Sequence, residues 1–237
     1  MQIFLKILKL LFIQRFIKSE ISKITNFINN SSNRIAIVGS SSRLLKKKYG
    51  KQIDKFDIVI RFNRAPTKKF EKHVGSKTTL RFLNQHTFEG VPYGKYVSQK
   101  DAKFVKKLKN SNLCVLLETN NIINKDKTHY TNKTNNVFFL NNNLNHYLRF
   151  AIVSDFNFVK KIQYYKYKPN FTTGMFVLSL MIILKKKISL FGFDKNKTNK
   201  NYGQYWKKTE INTVHDYDDE SKILKKLIDN KKITFFD

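Results

Sequence analysis

The chain has a single cysteine and no clustered metal ligands, and these shortages exclude several kinds of chemistry. Cys114 stands alone among 237 residues, so an intramolecular disulfide cannot form, which fits a reducing compartment. The histidines other than His215 are scattered without ligand spacing, so neither zinc nor thiol chemistry is indicated. The patterns GxGxxG and GxxxxGKS/T are also missing, which excludes the dinucleotide fingerprint and the P-loop.

Acidic residues are scarce relative to basic ones. The chain has 17 Asp and Glu against 46 Lys and Arg, which gives a formal net charge of +29. Such an excess is typical of nucleic-acid-binding proteins, because Lys and Arg neutralise phosphates and release counterions. The charge is spread along the whole chain, however, and no helix-turn-helix, zinc-finger or RNA-binding signature accompanies it. We therefore keep nucleic-acid binding only as an alternative function, and nucleic acid is not the expected partner.

The N-terminus is apolar without being a clear membrane span. Lys6, Lys9 and Arg15 interrupt residues 1–20, which fall short of the ~20 uninterrupted apolar residues of a spanning helix. No small-residue cleavage site follows, so a secretory signal is not indicated. At about 100° per residue, Gln2, Lys6 and Lys9 share one side opposite an apolar arc, which favours a helix lying in an anionic membrane interface. A helix docked on the rest of the protein is the alternative.

Length and apolar runs predict one α/β domain after this segment. A chain of 237 residues with 41% hydrophobic content suits one globular domain with a sizeable core. We expect an amphipathic, membrane-associating segment at 1–30 and the domain at 31–237. Short apolar runs alternate with helical stretches, which predicts a mostly parallel central sheet. The candidate strands are 35–38, 56–60, 113–117, 137–140, 188–193 and 233–236.

The first of these runs leads into a polar turn. Gly39 would let the backbone approach a ligand closely. The hydroxyls and amides of Ser40, Ser41 and Ser42 could donate to phosphate oxygens at a following helix N-terminus. An ordinary strand-to-helix turn is equally compatible with these residues alone.

Three further blocks follow in order: YGKQID at 49–54, DIVIRFNRAPT at 57–67 and VGSKTT at 74–79. With the first turn, they resemble the large motif of animal-type sialyltransferases. Arg61 and Asn63 follow the second candidate strand, where an open α/β sheet places ligand-binding groups. The resemblance implies that Ser40 and Asn63 hold the phosphate and ribose of CMP. Ser40 departs from the family, which usually has asparagine there.

NFTTGMFVL at 170–178 and ISLFGFD at 188–194 are similar to the family's small motif. They predict a turn, a helix at about 175–184 and a buried strand. Thr172, Thr173 and Gly174 would present hydroxyls and amides at a helix N-terminus, where a nucleotide or the donor carboxylate is electrostatically favoured. The resemblance implies donor contacts at this turn. Without it, the helix and strand are equally well explained as core.

VHDYDDE at 214–220 resembles the family's very short motif. His215 is the expected catalytic base, since an unperturbed histidine titrates near ~6.5 and its neutral form can take a proton from a sugar hydroxyl. Glu220 cannot share a helical face with His215, because same-face partners lie three or four residues apart. It is expected to be structural, with Asp218 and Asp219 in the first turn of a C-terminal helix.

NYGQYW at 201–206 stands where the family's third motif carries aromatic residues, often with a histidine. Gln204 takes that place and can donate a hydrogen bond to a leaving phosphate without giving up a proton. We expect Gln204 and Tyr205 to contact the donor, and a packed aromatic cluster is the alternative for Tyr205.

Asp216 and Asp218 form a D-x-D pattern, which in many glycosyltransferases binds a divalent metal. We favour a helix cap instead, because a monophosphate leaving group carries less charge to neutralise. No metal site and no cofactor beyond the CMP-sugar donor is expected.

The resemblance implies a Rossmann-like three-layer α/β/α fold, a variant of the glycosyltransferase A fold. It also implies an inverting enzyme that moves sialic acid from CMP-sialic acid to an acceptor sugar hydroxyl, such as a galactoside of a glycan or lipid-linked saccharide. A CMP-Kdo-dependent transferase is the alternative enzyme. Ile35 and the segment 185–187 stand where animal members pair two cysteines. A cytoplasmic, peripheral membrane location is expected, or a Golgi-type location if the source is eukaryotic.

Overall fold

The computed structural model describes residues 22–30, 34–84, 113–117, 137–140, 171–196, 203–206, 215 and 217–236. These residues include a seven-stranded sheet in which every neighbouring pair is parallel. The strands are β1 (Ile35–Val38), β2 (Ile58–Phe62), β3 (Leu80–Asn84), β4 (Leu113–Leu117), β5 (Val137–Leu140), β6 (Ile188–Phe191) and β7 (Thr234–Phe236). Their spatial order is β5-β4-β3-β2-β1-β6-β7. The predicted α/β fold with a parallel sheet is confirmed.

Helices cover both faces of the sheet. The described helices are α1 (Ser22–Asn30), a 3-10 helix (Ser42–Lys46), α2 (Gly50–Asp54), α3 (Glu71–Val74), α4 (Thr173–Ile183) and α5 (Tyr217–Asp229). Because successive strand residues point to opposite faces, β1 divides its side chains between two cores. Ile35 and Ile37 join α1, α4 and α5 in one core. Ala36 and Val38 join the 3-10 helix, α2 and α3 in the other, which completes three layers.

Strand β2 lies two residues later than the sequence predicts, and β3 is not predicted at all. Both strands contain an arginine with almost no exposed surface, Arg61 at 0% and Arg81 at 3%. The expectation that Arg61 follows its strand as a ligand-binding group is therefore wrong. Burial lowers the pKa of Arg61 to about 10, so the guanidinium stays charged at neutral pH.

The proposed N-terminal membrane helix lies outside the described residues. Helix α1, at the end of the same segment, places Ile28 in the core with 1% of its surface exposed. In the part of the chain that the structure describes, no helix is long and apolar enough to cross a membrane. The boundary at residue 30 stays a prediction.

Asp54, at the end of α2, joins two blocks of the large motif. Its carboxylate accepts hydrogen bonds at 2.9 Å from the N–H groups of Ser76 and Lys77, and Ser76 Oγ donates to it at 2.9 Å. Gly75, at φ 73°, leaves room, since a Cβ there would lie 2.4 Å from Asp54 Oδ1. Burial acts to raise the pKa of Asp54, but the Ser76 and Lys77 hydrogen bonds outweigh it and the pKa is lowered.

We expect Asp54→Asn to lower the free energy of unfolding at neutral pH by about 1–2 kcal/mol, because an amide accepts fewer of these partly exposed bonds. Because the pKa of Asp54 is lower in the folded state, its ionised carboxylate stabilises the fold at pH values above the ordinary aspartate pKa of about 3.9. This stabilisation is lost as the pH falls through the folded-state pKa. Urea unfolding over a pH series measures the effect. The difference from wild type should shrink in acid, whereas exposed Asp229→Asn should show no difference at neutral pH. A constant Asp54→Asn difference down to about pH 2 would contradict the linkage.

Candidate active site

Three motifs meet beyond the carboxyl ends of β1 and β6. The N–H of Ser41 donates to Gly192 O at 3.0 Å, after β6. The N–H of Tyr205 donates to Ser40 O at 3.0 Å, and Ser41 forms an antiparallel bridge with Gln204. The first turn of the large motif is therefore held between the small motif and the third motif. This edge of an open parallel sheet is where such folds bind ligands.

Gly39 and the backbone amides of Ser41 and Ser42 contact other parts of the fold, where the sequence predicts contacts with a ligand. Gly39 is buried, and a Cβ there would lie 2.4 Å from Gly192 O, so its small size serves the approach of two backbone segments. The N–H groups of Ser41 and Ser42 donate to Gly192 O and Gly203 O at 3.0 Å each. Contrary to the expectation for these two residues, their amides serve the fold rather than a phosphate.

The hydroxyls of the turn have different surroundings. Ser41 Oγ accepts from the N–H of Arg43 at 3.3 Å and caps the 3-10 helix that follows. Arg43 in turn forms an ion pair with Asp194 of the small motif, at 3.3 Å. Ser40 is half-buried, and its contact with the donor stays a prediction.

Asn63 brings the large motif to the small motif. It directly follows β2 in a left-handed conformation with φ 42°, which asparagine adopts more readily than most residues. Its Nδ2 lies 3.5 Å from Thr173 Oγ1, and its Oδ1 accepts from the N–H of Asn84 at 2.8 Å. Two predicted donor-binding groups, separated by 110 residues in the chain, are thus adjacent.

Thr172 directly precedes helix α4 and caps it. Its Oγ1 accepts from the N–H of Met175 at 3.2 Å, as an N-cap does. Gly174 packs on Phe193, whose ring would lie 3.3 Å from an added Cβ. The N-terminus of this 11-residue helix faces the edge where Asn63 lies, and its partial positive charge favours an anion there.

Glu220 connects the very short motif to the same turn. Its carboxylate accepts from the backbone N–H of Thr172 and, at 3.1 Å, from Thr172 Oγ1. Glu220 lies in the first turn of α5 together with Asp218 and Asp219. The N-termini of α4 and α5 are therefore adjacent.

His215 lies two residues before α5, at this shared end. It is half-buried, and its ring centroid lies 5.8 Å from that of Tyr217, which is 1% exposed. His215 therefore lies two residues from the start of the helix that Glu220 joins to the predicted donor turn.

Tyr205 and Gln204 differ in their surroundings. Tyr205 is 3% exposed, donates from its hydroxyl to Pro66 O at 2.5 Å and packs edge-on against Phe70 and Trp206. Burial raises its pKa to about 12, so the phenol is neutral. The packed-cluster alternative accounts for Tyr205, whereas Gln204 is half-buried beside Ser41.

Among the described residues, no group of three or more His, Cys, Asp and Glu side chains is arranged to hold a metal ion. Asp218 belongs to the first turn of α5, and Asp216 lies outside the described residues.

The profile of glycosyltransferase family 29 (sialyltransferase) matches residues 3–232, nearly the whole chain. The chain belongs to this family. The match confirms the resemblance seen in the motifs, and it includes most of the N-terminal segment.

Curated relatives match over shorter stretches. A pig CMP-N-acetylneuraminate-beta-galactosamide-alpha-2,3-sialyltransferase is 50% identical over 58 residues, which cover 24% of this chain and 17% of the relative. A rat CMP-N-acetylneuraminate-beta-1,4-galactoside alpha-2,3-sialyltransferase is 60% identical over 48 residues, covering 20% and 13%. A beta-1,6-galactosyltransferase of Arabidopsis thaliana is 45% identical over 75 residues, covering 30% and 19%. The aligned stretches thus span less than a fifth of these relatives.

Solved structures of the same fold match a larger share of this chain than the curated relatives do. A mammalian sialyltransferase in complex with Gal-beta-1-3GalNAc-ortho-nitrophenol has a TM-score of 0.59 at 23% identity, covering 86% of this chain and 69% of the other. A sialyltransferase from Campylobacter jejuni in complex with cytidine-5'-monophosphate has a TM-score of 0.51 at 19% identity, covering 86% and 79%. At these identities the likeness establishes the fold, in agreement with the Rossmann-like prediction.

Proposed function

We propose that this member of family 29 transfers sialic acid from CMP-sialic acid to a galactoside hydroxyl, with inversion at the anomeric carbon. The proposal is supported by the contacts that bring three family motifs together at the carboxyl edge of the sheet. Asn63 lies against Thr173, and Glu220 binds the neighbouring Thr172. The names of the pig and rat relatives supply the donor and acceptor class.

In this mechanism, the acceptor oxygen attacks the anomeric carbon while the bond from that carbon to the CMP phosphate breaks. His215 takes the hydroxyl proton, and CMP leaves with the bonding electrons on its phosphate. Ser40 and Gln204 donate hydrogen bonds to that phosphate, and the N-terminus of α4 favours the negative charge. Glu220 fixes the Thr172 turn without touching the substrate.

A donor screen tests the proposal. The full chain is incubated with CMP-Neu5Ac, CMP-Kdo or a nucleotide-activated galactose against several galactosides, and products are read by mass spectrometry. The galactose arm follows from the name of the Arabidopsis relative, and the CMP-Kdo arm from the alternative enzyme. We expect a sialylated product. Product from another donor alone would replace the proposal, and no transfer from any donor would refute it.

Transfer should continue in excess EDTA, because a monophosphate leaving group can be stabilised by neutral donors and a helix N-terminus. Initial rates with and without chelator, at matched ionic strength, measure this. Loss of the activity in EDTA, restored by manganese or magnesium, would contradict metal-independent transfer.

We also propose a peripheral location at an anionic membrane, on the cytoplasmic side, supported by the amphipathic pattern of residues 1–18 and the charge of +29. The full chain should co-sediment with vesicles that contain anionic lipid, and a chain lacking residues 1–18 should remain in the supernatant. Equal sedimentation of both proteins would contradict a membrane role for this segment.

A further inference from the structure

Arg61 and Arg81 lie side by side in the sheet with nearly the same burial. They are Cα partners in the parallel pair β2–β3 and are 0% and 3% exposed. Burying a guanidinium is costly unless hydrogen bonds compensate, so the partners of each side chain indicate its role. Those partners differ.

Arg61 holds the VGSKTT block. Its Nε donates to Lys77 O at 3.0 Å and to Thr78 Oγ1 at 3.1 Å, and its Nη2 donates to Val74 O at 2.6 Å. None of these contacts involves the residues that follow β2. Arg61 therefore stabilises a loop of the large motif away from Asn63.

Arg81 instead holds the chain around Asn63. A single nitrogen, Nη1, donates to Asn63 O at 2.9 Å and to Ala65 O at 3.1 Å, with Phe62 O at 3.4 Å. These carbonyls surround the point at which the chain leaves β2. Charge-assisted bonds to them are strong in this buried setting.

Such contacts stabilise Asn63 in its left-handed conformation, which is uncommon even for asparagine. The backbone geometry at this residue decides where its side chain points. With Oδ1 bound by the N–H of Asn84 at 2.8 Å, Nδ2 is directed to Thr173 at 3.5 Å. A change in the backbone at Asn63 would turn the amide away from the α4 turn.

We propose that Arg81 is a positioning residue for the nucleotide: it fixes Asn63 in the conformation that presents its side chain to the donor. This inference rests on the proposed function, in which Asn63 binds CMP. Arg81 itself does not touch the nucleotide. Its effect should therefore fall on nucleotide affinity, and not on stability alone.

The neighbouring arginine supplies a matched control. CMP affinity of the full chain is measured by calorimetry for wild type, Arg81→Met and Arg61→Met, with unfolding followed in parallel. Both substitutions should lower stability, but only Arg81→Met should weaken CMP binding, by about tenfold, the equivalent of roughly one good hydrogen bond at Asn63. Arg81→Lys should recover most of that loss, since one ammonium nitrogen can donate to the same carbonyls. Arg81→Gln, a milder change, repeats the affinity test if the Met variant does not fold.

A second readout does not depend on the ligand. Amide hydrogen exchange at Asn84, whose N–H donates to Asn63 Oδ1, should be faster in Arg81→Met by more than its lower global stability explains. In Arg61→Met, any change in exchange at Asn84 should follow global stability alone.

The proposal is overturned if folded Arg81→Met or Arg81→Gln binds CMP as wild type does, or if Arg61→Met weakens CMP binding as much as Arg81→Met. Failure of Arg81→Lys to improve on Arg81→Met would also count against it. If wild type does not bind CMP, the proposed function fails instead, and unchanged exchange at Asn84 in Arg81→Met would then refute the positioning role separately.

Discussion

His215→Ala should lower kcat by roughly 10²- to 10⁴-fold, the usual contribution of a positioned general base. A sugar hydroxyl is too weakly acidic to lose its proton unaided at neutral pH, so the loss should appear in turnover. CMP affinity should change little, because Ser40, Asn63 and Thr173 lie on other elements. Steady-state rates with saturating donor, and calorimetry with CMP, measure the two quantities.

His73→Ala is the matched control. His73 is also half-buried, but its Nδ1 lies 2.6 Å from Lys47 O on the opposite face of the sheet from α5. Its loss should leave kcat within about twofold of wild type, since it takes no part in the proton transfer. A folded His215→Ala protein with near-normal kcat would refute the assignment. If His215→Ala loses CMP binding instead, His215 belongs to the donor site and another group is the base.

The strands that could be placed from sequence are those without a charged residue. β1, β4 and β5 begin and end at the predicted residues, because each is a continuous apolar run in the sequence, as is typical of strands in a parallel sheet. β2 and β3 each contain an arginine, and an arginine in a pattern indicates exposure. Their guanidinium groups are compensated by carbonyls from other loops, which no local pattern reveals.

For the candidate site, the sequence predicts the turns that carry the motifs, but not the contacts between those turns. The motifs indicate which turns carry the functional groups, and the structure brings these turns together. The sequence could not show which backbone and side-chain groups of these turns bind one another. The amides of Ser41 and Ser42 bind carbonyls of distant loops, and Tyr205 is enclosed by Phe70 and Trp206.

The contact between Glu220 and Thr172 is the clearest such connection, because it joins two motifs 48 residues apart. Glu220→Ala should lower the free energy of unfolding by about 2–4 kcal/mol, since two hydrogen bonds to a charged acceptor are lost at once. It should also lower kcat/KM, because the carboxylate holds both the donor turn at α4 and the helix that follows His215. Glu220→Gln retains one acceptor oxygen and should lose less.

Asp219→Ala is the control within the same helical turn. Asp219 forms a 3.1 Å ion pair with Lys222 on the surface, where 60% of the lysine side chain is exposed. Such pairs contribute about 0–1 kcal/mol, so this variant should be nearly as stable and as active as wild type. Urea unfolding and steady-state kinetics compare the three variants with wild type. If Glu220→Ala proves as stable as Asp219→Ala, the carboxylate does not hold the two helix N-termini together. If it is unstable but keeps the kcat/KM of wild type at low temperature, the contact supports the fold without placing His215 against the donor turn.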